Sequence, residues 1–223
     1  MRNLEKQFKN RKIDFDKLLD YGFIKNNHKY LYEKNICDDS FKIIIEINNL
    51  TKISKVIDLN LDDEYILVDV EGSNGEFVGK IKEEYESVLN EFIEKCSVKD
   101  IFKSSQAKDI IKYVKNKYND DLEYLWKKFP SDAIWRNKDN NKWYGLLMVL
   151  EENKLGIKSN RVVDVIDLRY QKESITDIID NKNVFKGYHM NKNNWITIKL
   201  DESMDIKAIY ELIDNSYNLS LKK

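Results

Sequence analysis

The sequence lacks the residues that several protein classes require. Its 223 residues include one proline, seven glycines, two cysteines and two histidines. Cys37 and Cys96 lie too far apart for a disulfide framework or a zinc ribbon, and two histidines exclude a histidine-rich metal site. No apolar run approaches the roughly 18–20 residues that cross a bilayer, and residues 1–6 lack the apolar stretch of a signal peptide. We therefore expect a cytoplasmic protein with reduced thiols, no membrane segment, no metal and no cofactor.

Motifs of common enzyme chemistry are missing as well. Residues 72–75, Gly-Ser-Asn-Gly, have neither the spacing nor the Lys-Ser/Thr pair of a phosphate-binding loop. A Ser–His–Asp arrangement would have to use His28 or His189, and no nucleophile-elbow sequence accompanies either one. The sequence therefore predicts a protein without enzymatic activity.

Charged and apolar residues are abundant, at 35% and 42% of the chain. This balance supplies a hydrophobic core and excludes a disordered chain. The charge is divided unevenly, since residues 1–105 carry 17 basic and 21 acidic side chains, whereas residues 106–223 carry 21 basic and 18 acidic ones. The second part, with a net charge of +3, is the one expected to face a phosphate backbone.

The first part of the chain reads as strands followed by a helix. Apolar residues alternate over residues 41–47, and turn residues separate this strand from a second one and from a third over residues 64–70. Residues 78–96 then carry one apolar stripe at helical spacing. The polar stretch 97–105 is the predicted linker. We therefore predict an N-terminal α+β domain over residues 1–98.

The second part is predicted to form a C-terminal domain over residues 106–223. Hairpin-linked strands favour an antiparallel sheet covered by helices on one face, an α+β class, and argue against a doubly wound parallel sheet. The predicted helices cover 107–118, 122–129 (closed by Pro130), 174–179 and 205–215, and the predicted strands cover 134–136, 142–150, 161–169, 183–190 and 194–200.

Several short motifs in this domain resemble the MmcQ/YjbR family. They are Trp135-Arg136, Lys142-Trp143-Tyr144-Gly145, the strand 163–169, the block Gly-Tyr-His-Met-Asn-Lys at 187–192 with Trp-Ile-Thr-Ile at 195–198, and the ending 212–219. The resemblance covers about residues 107–219, and the block 187–198 is its most specific part. It implies a frataxin-like (CyaY-like) α+β domain that binds DNA. The resemblance does not extend to residues 1–105, and the N-terminal domain is left unassigned.

Basic residues at two predicted hairpin tips suggest where duplex DNA would bind. Asn191-Lys192 form one tip, and Arg136, Lys138 and Lys142 flank the other. Cations on neighbouring tips can straddle a duplex backbone, giving weak phosphate contacts without sequence readout. The candidate DNA-binding residues are Arg136, Lys138, Lys142, Arg169, Lys186, His189, Asn191, Lys192 and Trp195.

The strand 194–200 leaves a second interpretation open. Its alternation predicts Ile196, Ile198 and Leu200 toward the helices, and Trp195 with its alternate neighbours on an open sheet face. An exposed Trp195 can stack on a base. Alternatively, Trp195 packs under a loop or against the other domain. The alternative function is a non-enzymatic module for protein interaction or small-ligand binding, in which the open sheet face, including Trp195, docks a partner or the N-terminal domain.

Overall fold

The computed structural model describes residues 1–73 and 75–222. The chain divides into two compact units, Met1–Ile101 and Phe102–Lys223. The stretch 97–105, predicted as a linker, has structure of its own. Ser97–Lys99 is a strand that pairs with Arg11–Ile13, and Ser104 caps the next helix by accepting a hydrogen bond from the backbone N–H of Ala107.

The N-terminal unit contains a six-stranded antiparallel sheet. Its strands pair in the order β1-β6-β5-β4-β3, with β7 added beside β6, while β2 and β8 form a separate pair. Its elements in chain order are β1 (Arg2–Asn3), β2 (Arg11–Ile13), α1 (Phe15–Tyr21), β3 (Ile24–Asn26), β4 (Lys29–Ile36), β5 (Phe41–Ile47), β6 (Lys52–Asp58), β7 (Asp63–Glu64), a 3-10 helix (Ile66–Val68), α2 (Glu76–Cys96) and β8 (Ser97–Lys99).

Helix α2 is the long element whose apolar stripe completes this unit's core. The residues predicted to be buried on it are those that the structure buries: Ile81, Tyr85, Val88, Leu89, Phe92, Ile93 and Cys96. The predicted third strand over residues 64–70 is wrong. Only Asp63–Glu64 pair with β6, and the chain then turns into the 3-10 helix, which buries Val68 and leaves Ile66 exposed.

The C-terminal unit contains a five-stranded antiparallel sheet in the order β12-β13-β11-β10-β9. Helix α5 packs across β10 and β11. The elements in chain order are α3 (Ser105–Tyr118), β9 (Ala133–Arg136), β10 (Trp143–Glu151), a 3-10 helix (Glu152–Leu155), β11 (Val162–Arg169), a second 3-10 helix (Lys172–Ser174), α4 (Ile175–Ile178), β12 (Val184–Lys186), β13 (Trp195–Lys199) and α5 (Ile206–Leu221). The predicted α+β class with antiparallel sheets is confirmed.

One predicted helix, over residues 122–129, is wrong, and its true shape matters for the site. The chain is extended there, and Glu123 exchanges two backbone hydrogen bonds of 2.9 Å with Ile134 of β9. Trp126 packs on the sheet, whereas Phe129 stays exposed. The edge of β9 supplies hydrogen-bond partners, and these replace the bonds that a helix would have made within the segment.

The two faces of this sheet are covered differently. The helix face carries side chains that are fully buried, among them Trp135, Leu147, Ile166 and Ile198. The opposite face, which we call the loop face, is covered by side chains from irregular segments. Its cluster consists of Ile134, Leu146, Met148, Val163 and Val165, with Trp126, Trp143, Leu150, Leu155, Tyr188 and Met190 packed against it.

Candidate functional site

The strand register brings the predicted DNA-binding residues to one end of the C-terminal sheet. The turn 137–142 joins β9 to β10, and the turn 187–194 joins β12 to β13. All neighbouring strands are antiparallel, so both turns and the last residue of β11, Arg169, lie at the same end. We call this the basic end. The opposite end carries the turn between β10 and β11.

Several cations of the basic end already have partners. Arg136 pairs with Glu123 at 3.1 Å and Lys138 with Asp120 at 2.9 Å. Lys142 donates to the backbone carbonyl of Lys222 at 2.5 Å. Two of the predicted phosphate contacts are thus neutralised by carboxylates, while Lys142 keeps its charge uncompensated by an acid.

Trp195 is buried against the half-buried Arg169 and is not an open stacking platform. Trp195 is 3% exposed, and the guanidinium of Arg169 lies 4.8 Å from the centre of its ring. The Nε of Arg169 donates to the backbone carbonyl of Trp143, and burial lowers the pKa of Arg169. The prediction of an exposed Trp195 is therefore wrong, and this ring cannot stack on a base.

The chain passes close to the backbone of Trp195 at Gly187. The backbone N–H of Gly187 donates to the carbonyl of Trp195 at 2.9 Å, and a Cβ atom at residue 187 would come within 2.9 Å of the Trp195 Cβ. Only glycine allows the chain to pass this close to the Cβ and the backbone of Trp195. The following residues, Tyr188 and Met190, then pack on the loop face.

Lys186 and Lys192 are the exposed cations of the basic end without an acidic partner among residues 1–73 and 75–222. Asn191 shapes the turn between them, because its side-chain oxygen accepts from the N–H of Asn193 at 2.9 Å. His189 is exposed and lies edge-on to the ring of Tyr188. Lys186, His189, Asn191 and Lys192 thus remain available to a ligand from outside.

A cavity of about 200 Å³ opens on the loop face beside His189. Two aromatic rings dominate its wall, since Trp126 and Trp143 meet edge to face with ring centres 5.5 Å apart. The complete lining consists of Trp126, Phe129, Asp132, Trp143, Leu146, His189 and Met190. Apart from Asp132 and His189, every lining side chain is aromatic or apolar.

A fully buried carboxyl group, that of Asp167 on β11, lies on the same face. Thr197 donates its hydroxyl to Asp167, and the backbone N–H of His189 donates at 3.4 Å. Burial raises the pKa of Asp167 to about 7, a rise that these hydrogen bonds oppose and that the charge of Asp132 increases. The carboxyl is therefore held by the same segment that forms one wall of the cavity.

Asp132 is the carboxyl group that reaches the cavity itself. Partial burial raises its pKa, and the nearby His189 counteracts the rise. Asp132, His189 and Asp167 thus interact with one another, although they are distant in the sequence. An acidic group at the wall of an aromatic cavity is an arrangement that attracts cations and repels anions.

Known proteins resemble the C-terminal half of the chain. The YjbR family profile matches residues 116–219. An uncharacterised protein of Bacillus subtilis, YyaQ, is 38% identical over 112 residues, which span 50% of this chain and 95% of YyaQ. The chain belongs to the YjbR family. The predicted family resemblance is confirmed, and we refer to residues 102–223 as the YjbR domain.

Solved structures also match the YjbR domain. A crystal structure of a protein from Pseudomonas syringae has 39% sequence identity and a TM-score of 0.49, and the match covers 51% of this chain and 97% of that one. A crystal structure of a Deinococcus radiodurans protein has 18% identity and a TM-score of 0.41, over 52% and 79% of the two chains. The frataxin-like classification of the domain and its DNA binding stay predictions.

Sequence patterns did not identify three residues in or beside the cavity: Trp126, Asp132 and Asp167. Trp126 was assigned to a helix that does not form. Asp167 did carry a signal, because in a strand it shares a face with Val163 and Val165, which are buried. A carboxylate in such a row is either exposed at a strand end or buried with a special role. Asp132 gave no signal beyond its place after Pro130.

Within residues 1–73 and 75–222, no three His, Cys, Asp or Glu side chains are grouped so as to hold a metal ion. None of the helices in the same residues is long and apolar enough to cross a membrane.

Proposed function

We propose that the YjbR domain binds duplex DNA weakly, through backbone phosphates, at its basic end. The observation that supports the proposal is the register that brings the turns 137–142 and 187–194 to one end of the sheet. Lys186 and Lys192 stand there without acidic partners among the described residues. Cations that are exposed and unpaired are the ones that release counterions when they meet phosphate.

The ion pairs of the basic end limit the strength of this binding. Phosphate has to compete with Glu123 for Arg136 and with Asp120 for Lys138. The Arg136–Glu123 pair is partly exposed and contributes only about 0–1 kcal/mol, so a phosphate can replace this carboxylate but gains little, whereas the carboxylate of Asp120 is itself buried. The principal contacts are therefore assigned to Lys186 and Lys192, with Lys142, His189 and Asn191 beside them.

The proposed binding does not read the DNA sequence. Specific recognition usually requires a helix or ribbon whose side chains reach base edges in a groove. Among the described residues, no α-helix contributes to the loop-face cluster, and the ring of Trp195 is buried against Arg169. Contacts from two turns to phosphates instead fix a position on the duplex without distinguishing bases. We propose no catalytic role for this binding. We also propose a cytoplasmic location, where the free thiols of Cys37 and Cys96 stay reduced.

The test is a salt titration of a labelled duplex with the full chain. The variant Lys186→Ala/Lys192→Ala removes the two unpaired cations of the basic end. Lys154→Ala/Lys158→Ala is the matched control, because these two exposed lysines lie in the turn at the opposite end of the sheet. The slope of log K against log salt is expected to become less steep by about 2 in the first variant and to stay unchanged in the control.

Two results would contradict the proposal. One is equal slopes for both double variants, which would mean that the lysines act through the domain's net charge and not through a surface. The other is the absence of binding by the unaltered chain at low salt. Thermal unfolding of each double variant, monitored by far-UV circular dichroism, verifies that the four substitutions leave the fold intact.

A further inference from the structure

The cavity on the loop face has a chemistry that DNA binding does not explain. It shares only His189 with the proposed DNA contacts, and its interior is too small for a duplex, at about 200 Å³. We propose that this cavity binds a small organic cation, an amine or ammonium group carried on a compact apolar body. The site is independent of the DNA proposal.

The aromatic rings are the first reason for a cation. Trp126 and Trp143 meet at an interplanar angle of 80°, so the cavity is bounded by rings in two orientations, with Phe129 as a third aromatic residue in the lining. The face of an indole carries negative electrostatic potential and attracts a cation within about 6 Å, most strongly for tryptophan. Leu146 and Met190 supply contacts for the apolar body of the ligand.

The carboxyl groups in and behind the cavity wall are the second reason to expect a cationic ligand. Asp132 lines the cavity, and Asp167 lies behind the wall, held by Thr197 and by the backbone of His189. The lining includes no lysine or arginine, so His189 is the one lining side chain that can carry positive charge. A cationic ligand would compensate the carboxylate of Asp132, which the folded chain leaves without an ion pair among its described residues.

The competing ligand classes fit less well. An anion would approach Asp132 without a lysine or arginine to offset the repulsion. A neutral apolar ligand would fill the cavity but desolvate the carboxyl without replacing its lost water contacts, and an uncompensated buried polar group is costly. The volume is below the roughly 300–1,000 Å³ that is usual for larger ligands, which favours a single ring or a short branched chain.

Calorimetric titration of the full chain with three probes of matched shape tests the proposal. Benzylamine supplies a cation, benzyl alcohol is its neutral counterpart, and benzoate supplies an anion on the same ring. We expect benzylamine to bind at least tenfold more tightly than benzyl alcohol, and benzoate to bind most weakly. Asp132→Asn is expected to weaken benzylamine binding about tenfold and to leave benzyl alcohol unaffected.

Asp139→Asn is the matched control, since Asp139 is an exposed carboxylate of the turn 137–142 and does not line the cavity. Its affinity for benzylamine should equal that of the unaltered chain. The proposal is overturned if the amine and the alcohol bind equally, if benzoate binds most tightly, if no probe binds at millimolar concentration, or if the two Asp variants lose affinity equally. Unchanged tryptophan emission of each free variant excludes misfolding as the cause.

Discussion

The two faces of the YjbR sheet are built by different kinds of segment, and they bury different chemistry. The helix face buries apolar side chains such as Trp135, Ile166 and Ile198 beneath regular helices. The loop face buries Asp167 and Thr197, and it buries Trp195 against the half-buried Arg169. A helix covers a sheet with a repeating apolar stripe, whereas a loop brings backbone N–H groups and turns, which can satisfy buried polar atoms.

This difference separates stability from binding within one small domain. The helix face provides close-packed apolar contacts. The loop face is packed less completely. It contains a cavity and carboxyl groups whose ionisation depends on their surroundings. Binding residues commonly lie on loops that a rigid sheet positions, which is the arrangement found here. Three measurements test how far the two faces differ.

The largest effect is expected from the buried carboxyl of the loop face. The pKa of Asp167 is raised by burial from 3.8 to about 7, so the folded chain holds a proton that the unfolded chain releases. The contribution of Asp167 to the free energy of unfolding therefore falls as the pH rises from about 4 to 7. The pKa difference corresponds to at most about 4 kcal/mol. Asp167→Asn should remove this fall, as measured by urea unfolding at several pH values.

Tryptophan emission is a suitable readout because all four tryptophans, Trp126, Trp135, Trp143 and Trp195, lie in the YjbR domain. The comparison depends on the slope with pH and not on the absolute stability, since the asparagine also loses an acceptor for the N–H of His189. A variant whose stability still falls as steeply as that of the unaltered chain would show that Asp167 is ionised throughout this range.

The second effect tests the helix face. Ile166 on β11 is fully buried, and Ile166→Ala should lower the free energy of unfolding by about 3 kcal/mol, because the truncation leaves a cavity in close-packed surroundings. Val162→Ala on the same strand is the control, since Val162 is 61% exposed and should cost under about 1 kcal/mol. Equal losses would mean that the helices cover this face only loosely.

The regular parts of both units were predictable because their patterns are local. Helix α2 shows its full stripe in the sequence, from Ile81 to Cys96, and the structure buries those residues. The strands of the YjbR sheet follow from alternation and turn residues in the same way, except that the strand predicted over residues 183–190 ends at Lys186. The segment 122–129 was mispredicted because its backbone bonds go to β9, a partner that periodicity within the segment does not reveal.

The candidate site was less predictable because it depends on pairs of distant residues. The positions of Arg136 and Lys138 at a turn were correct, but their neutralisation by Glu123 and Asp120 follows from the course of the mispredicted segment. The close approach of Gly187 to Trp195 is likewise a contact between distant residues, because a side chain at residue 187 would meet the Cβ and the backbone of Trp195. Such contacts are set by tertiary packing and not by local sequence.

The smallest of the three effects concerns the Arg169–Trp195 pair, which joins the loop face to the basic end. Arg169→Met keeps most of the side-chain volume but removes the cation over the ring and leaves the carbonyl of Trp143 without its donor. We expect a loss of about 1–2 kcal/mol in urea unfolding. Arg169→Lys restores the charge but not the planar group that stacks on the ring, so it should recover only part of the loss. Full recovery by lysine would show that charge alone stabilises this corner, and an unchanged Arg169→Met variant would show that Trp195 is held by Gly187 and the sheet without help from the guanidinium.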